Sequence, residues 1–234
     1  MRSRDMNELP VLHEDNHLLV VDKPAGMPSQ PDRTRDADVL TLGKALIKER
    51  YNKPGAVFLG LVHRLDRPAS GVMVLARTSK AASRLSDQFR QKSIQKTYLA
   101  LVEGAPKEGE VLEDWLKKEH EKVKRVEQGT KGAKKARLKI EKVIRFGPVS
   151  LVQISLYTGR AHQIRIQFSE RGHPLVGDFR YRSRRELAGR NLALHAGALE
   201  LDHPTKKDRM RFVAMVPRTW PHEVQEAGNR LIGA

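Results

Sequence analysis

Residues 61–78 read LVHRLDRPASGVMVLART, and this stretch decides the architecture because it sets a knot of charge between two apolar flanks. His63, Arg64, Asp66 and Arg67 fall within five residues. Pro68 and the Ser70-Gly71 pair then favour a turn, and VMVLA is a short β-branched run of strand type. The residues alone describe a loop that carries one carboxylate among cations and is braced by a core strand. An ordinary surface ion pair, worth only ~0 to 1 kcal/mol, is the plainer reading of the same charges.

Working outward, HLLVVDK (17–23) alternates into a strand that stops at the Pro24-Ala25-Gly26 turn. Val39, Leu42, Leu46 and Ile47 recur at helical spacing behind Asp38, which predicts a helix to about Tyr51. Strand 72–77 is followed by a helix opened by Thr78 or Ser79, with Ala82, Leu85 and Phe89 on one face. Lys96–Val102 reads as a strand carrying Tyr98, and the basic run 117–139 as two short strands joined by a mobile hairpin. That run is either a solvated face or an arm that contacts a polyanionic partner.

Ser150–Tyr157 forms a further strand, and RAHQIRIQFSERG a helix on which His162 and Arg165, three apart, project from neighbouring points. Strands at about 192–201 and 210–216 and a helix from Pro221 complete the chain. Residues 1–12 are expected to be a flexible tail, too short for a folded module before the first strand, and 13–234 a single domain. The fold class is α+β, a large, mostly antiparallel mixed sheet flanked by helices.

Composition narrows the function. Forty-four Lys and Arg against 28 acidic residues give a formal charge of +16 in 234 residues, which points to a polyanionic partner. No apolar run reaches the ~18 residues of a membrane span, and the N-terminus lacks the apolar core of a signal peptide. The absence of cysteine excludes disulfides and thiol nucleophiles and suits a cytoplasmic location. No P-loop, GxGxxG or GxSxG is present, and His63, Asp66, His162 and His195 lack a tight zinc-type spacing, so neither metal nor cofactor is expected.

The segment HRLDRPASGVMVLA resembles the signature of the RluA-type family of RNA pseudouridine synthases, with Ala69 where Thr is usual. Five further blocks fall in the family's order: NHLLVVDKPAGMPSQ, KTYLALVEG, LYTGRAHQIRIQF, GHPLVGD and LALHAGALELDHP. The resemblance implies the pseudouridine synthase fold as a stand-alone catalytic domain without the S4 module that some relatives carry. It implies Asp66 as the catalytic carboxylate and Arg165 as its permanent cationic partner. Arg64 is implied to enter the RNA as the target nucleotide leaves the stack, and Tyr98 to stack on the flipped base. The partner is then ribosomal or transfer RNA, with no membrane and no obligate protein partner. A non-catalytic RNA-binding protein and a uridine-acting RNA glycosylase are the competing readings.

Overall fold

The structure, a computed structural model, describes residues 9–119, 122–188 and 191–234. In chain order the first half contains β1 (Val11–Glu14), β2 (Leu18–Lys23), α1 (Val39–Arg50), β3 (Gly60–Leu61), β4 (Ser70–Ala76), α2 (Ser79–Gln91) and β5 (Gln95–Glu103). The second contains β6 (Val111–Glu119), β7 (Lys122–Val126), β8 (Lys134–Phe146), β9 (Val149–Leu156), α3 (Gln163–Ser169), β10 (Leu194–Asp202), β11 (Arg209–Val213) and α4 (His222–Ile232). The class is α+β, with a large mixed sheet whose described pairings are antiparallel. The chain divides into two compact units, residues 1–94 with 198–214, and residues 95–197 with 215–234.

In the first unit β2 pairs with β4 from Leu18↔Ala76 to Lys23↔Gly71, and β1 and β3 add to their edges. Every residue of β4 is buried, and every residue of β2 but Asp22. The continuous apolar runs therefore read as interior strands. Leu18, Val20, Val72 and Val74 form one core with Leu85 of α2 and Leu199 and Leu201 of β10. Each such side chain contributes about 1.5 to 3 kcal/mol on burial. Both helices start where the sequence caps them: Asp38 accepts the Thr41 N–H at 3.0 Å, and Thr78 that of Ala81 at 3.1 Å.

The expected tail of residues 1–12 is corrected where it can be seen. Val11 and Leu12 lie in β1 and Leu9 is buried, while residues 1–8 are outside the described residues. The turn after β1 is closed by Asp15, which accepts the N–H groups of His17 and Leu18 at 2.7 and 2.8 Å. Its other oxygen meets His13 and His203. His203 takes the Thr205 and Lys206 N–H groups on Nδ1, so its Nε2 carries the proton that Asp15 accepts. Burial opposes the Asp15 charge, but these bonds outweigh it and hold the carboxyl at about 2. Because that lies below the unfolded value, the stabilisation is complete above about pH 4 and disappears as pH falls toward 2. Asp15→Asn is expected to be less stable than wild type at neutral pH and to lose less on acidification through that window. Parallel acid-unfolding curves for the two proteins would contradict this role.

The second unit has its strands in the order β5-β9-β8-β6-β7, with every described pairing antiparallel. Its basic segment is three strands, not two. β6 begins at Val111 and pairs with both β7 and β8, and residues 120–121 lie outside the described residues. The Gln128–Gly132 stretch joins β7 to β8. One face of this sheet packs Leu116, Val123 and Ala136 on Ile166 of α3 and on Tyr181.

Candidate active site

In the first unit the loop between β3 and β4 presents Asp66, half-buried, with Arg64 beside it and exposed. Seven hydrogen bonds fix that loop. The Ser29 hydroxyl donates to the Leu65 carbonyl at 2.9 Å and lies 3.2 Å from its N–H. The Gly26 N–H donates to the Arg67 carbonyl, and the Ala69 N–H closes a turn on the Asp66 carbonyl. The Arg67 guanidinium reaches back to the Gly26 carbonyl, Thr34 and Asp36. Ala69, in the family's usual Thr position, is buried.

His63 opens the loop and anchors it to the core. Its Nε2 accepts the Val74 N–H of β4 at 3.0 Å, and its ring stacks on Phe89 with centroids 4.8 Å apart. An imidazole whose nitrogen accepts a backbone N–H serves position rather than proton transfer at that atom. His63→Ala leaves that N–H without its acceptor and removes the stacked ring, so a loss of about 2 kcal/mol in a urea titration is expected. Unchanged stability would show the anchor to be dispensable.

Lys23, at the end of β2, is fully buried. Its Nζ donates to the carbonyls of Pro24, Met27 and Arg67 at 2.9, 2.7 and 3.1 Å. Three acceptors for three protons describe an ammonium, since a neutral amine has only two N–H groups to give. Burial lowers its pKa to about 7, opposed by the charges of Asp66 and Asp22 and reinforced by Arg67. The loop that carries Asp66 is thus tied to a caged cation of the same unit. Sequence reasoning missed Lys23; the available signal was a lysine ending a run of buried strand residues.

In the second unit Arg165 is buried on α3. Its Nε and Nη2 donate to the two oxygens of Asp178 at 2.7 and 2.8 Å, a bidentate pair. Its Cζ lies 5.0 Å from the Tyr181 ring centroid. This pair lies within the second unit and fixes the direction of the guanidinium. Neither Asp178 nor Tyr181 was marked by the sequence reading, although Asp178 closes the GHPLVGD block.

The helix of α3 is shorter than expected and His162 is not on its face. His162 precedes the first turn with φ 50° and bonds Tyr181 Oη through Nδ1 at 2.7 Å. The turn before it is held by Gln163, whose Oε1 accepts from Thr158 Oγ1 and the Arg160 N–H. Tyr98 is partly buried on β5, where it registers with Ile154 of β9. The four expected site residues thus fall in two groups, Arg64 and Asp66 in the first unit, Tyr98 and Arg165 in the second. Among the described residues no three His, Asp or Glu side chains are grouped to hold a metal. No helix among them is long and apolar enough to cross a membrane.

Comparison with known proteins agrees with the fold. The chain matches the RNA pseudouridylate synthase family over residues 17–170, which includes the Asp66 loop and Arg165. It is 38% identical over 222 residues to ribosomal large subunit pseudouridine synthase C of Escherichia coli (strain K12), covering 87% of this chain and 65% of that protein. The Yersinia pestis protein of the same name is 37% identical over 224 residues, covering 91% and 67%. The chain thus spans about two thirds of the length of these relatives. Among solved structures, human RNA pseudouridylate synthase domain containing 4 superposes with a TM-score of 0.74 at 25% identity, covering 89% of each chain. Human RNA pseudouridylate synthase domain containing 1 gives 0.70 at 25% identity, covering 97% of this chain and 90% of that one. A match through most of the sequence and a shared fold place the chain in the RNA pseudouridylate synthase family.

Proposed function

We propose that the chain isomerises a uridine of RNA to pseudouridine, with Asp66 as the catalytic carboxylate. The observation that carries this is the half-buried Asp66 on a loop tied through its backbone to Ser29, Gly26 and the caged Lys23. Chemistry at a carboxylate needs its position held, and these ties hold the backbone on both sides of Asp66. The reaction breaks the N1–C1′ bond, turns the base and joins C5 to C1′. C5 loses a proton and N1 gains one, so nothing is acquired from outside. A carboxylate opens this sequence by adding to an electrophilic carbon or by taking a sugar proton.

Arg165 is assigned to the charge of Asp66, Tyr98 to stacking on the extruded base, and exposed Arg64 to the gap left in the RNA. Extruding a base costs a few kcal/mol, recovered through stacking and phosphate contacts, and the +16 charge favours the latter. The relatives' name makes large-subunit ribosomal RNA the substrate to test first, in a cytoplasmic setting. The experiment maps pseudouridine in total RNA from cells with and without the gene, with rescue by wild type or Asp66→Asn. Sites lost on deletion and restored by wild type alone support the assignment. Strand cleavage or abasic sites in their place would indicate a glycosylase, and an unchanged map a binding protein.

A further inference from the structure

The basic run 117–139 holds eight lysines and two arginines, yet much of that charge is neutralised within its own sheet. Lys124 pairs with Glu119 at 2.9 Å, Lys135 with Glu113 at 2.6 Å, Lys139 with Glu141 at 2.7 Å and Arg125 with Asp114 at 2.9 Å. A different segment of the same unit has the opposite character. Residues 179–185, FRYRSRR, carry four arginines in seven positions, and all four are exposed. Arg182, Arg184 and Arg185 make no ion pair with any described residue. Phe179, 54% exposed, stands beside them.

This segment is fixed rather than loose. Tyr181, Ser183 and Leu187 point inward and are buried. The Asp178 carbonyl accepts the N–H groups of Tyr181 and Ser183, and the Arg185 carbonyl accepts that of Gly177. The Glu103 carboxylate takes the Ser183 hydroxyl at 2.8 Å and the Arg184 N–H at 2.7 Å. Arg182 holds a left-handed conformation at φ 73°, which a side chain adopts only where the surroundings enforce it. The anchor of the whole segment, Asp178, is the residue that grips Arg165.

We propose that residues 179–185 are an RNA-contact surface, with one unpaired base stacked on Phe179 and the adjoining phosphates held by Arg182, Arg184 and Arg185. The inference rests on the reading of the chain as an RNA enzyme and names the part of the RNA that this unit grips. Arginine forks suit phosphate oxygens, and presenting them without carboxylate partners leaves their charge for a polyanion. A phenyl ring cannot bond a 2′-hydroxyl or a base edge. Its exposed face suits a base out of the helical stack, whereas bases within an A-form duplex offer no face. An acidic protein partner would use the arginines but gives no reason for the ring.

The test measures binding of the full chain to a short fluorescein-labelled oligouridylate and to an RNA duplex of equal length, by anisotropy across a potassium chloride series. Phe179→Ala is expected to weaken oligouridylate binding by roughly 5- to 150-fold, with little change on the duplex, and Phe179→Trp to restore it. The triple variant Arg182→Asn, Arg184→Gln, Arg185→Gln is expected to lower the slope of log affinity against log salt by about 2 on the single strand. Asn at 182 keeps the left-handed backbone accessible, so fold and charge are separated. Wild-type affinity and slope in both variants would overturn the proposal, as would equal losses on duplex and single strand for Phe179→Ala. Pseudouridine formation by the wild type is scored in parallel. Its absence counts against the reading of Asp66, whereas its presence with unaltered variants counts against this surface alone.

Discussion

Asp66→Asn is expected to lower pseudouridine formation by about 10⁴-fold or more while leaving RNA affinity within a few-fold of wild type. The separation follows from how the loop is built. Ser29, Gly26, Lys23 and the Ala69 N–H all engage backbone atoms of residues 65–67, so a carboxamide of the same shape disturbs none of them. What changes is that the side chain can neither add to carbon as an anion nor accept a proton at neutral pH. The exposed arginines that meet RNA are unaffected. A variant turning over within tenfold of wild type would remove Asp66 from the chemistry. A variant that lost RNA binding to the same extent as product would reassign the carboxylate to recognition.

Much of the site's frame was legible because its signals are local. The β-branched runs of β2 and β4, the caps Asp38 and Thr78 and the charged HRLD turn each announce themselves within a few residues. What escaped depends on pairings across the chain. Lys23 bonds the Arg67 carbonyl 44 residues away, and nothing in VVDKPAG declares that the lysine turns inward. Asp114 is a second case. It occupies a buried place in the alternation of β6, its charge met by Arg125, Arg171 and Gln167. A carboxylate at an apolar position broke the period-2 pattern, so the strand was begun six residues late at Lys117 and the third strand went unseen. His162 was misplaced because helical spacing cannot reveal a left-handed residue just before the first turn.

The same contrast separates the two basic segments. Sequence charge alone drew attention to 117–139, where the lysines are many, and passed over 179–185, where they are absent. Partner carboxylates decide how much of a charge run is available to a ligand, and Glu113, Glu119 and Glu141 become neighbours of those lysines through strand register as well as sequence. The arginines of 179–185 are spaced by inward residues of a pinned turn, which no helix or strand period describes.

Lys23→Met is the second substitution with a large expected effect, and it acts in opposite directions on stability and on turnover as pH rises. The carbonyls of Pro24, Met27 and Arg67 each lose a donor, so a destabilisation of about 3 kcal/mol is expected near pH 7, with loosening of the loop that carries Asp66. In wild type the folded pKa of about 7 lies below the unfolded value of 10.5, so between these limits the unfolded chain binds more protons. Stability contributed by this group therefore rises from about pH 7 toward 10.5, by at most roughly 1.4 kcal/mol per pH unit, and is flat below. Methionine abolishes that rise, so the gap between the two proteins should widen in urea titrations from pH 7 to pH 9. Turnover should move the other way. Above about pH 7 the ammonium is lost, and with it the positive charge that acts on Asp66, so wild-type kcat should decline relative to that of Lys23→Met. Superposable pH profiles of stability would mean that Lys23 does not titrate in this range. A widening stability gap with parallel kcat profiles would confine it to holding the loop and leave the Asp66 charge to other groups.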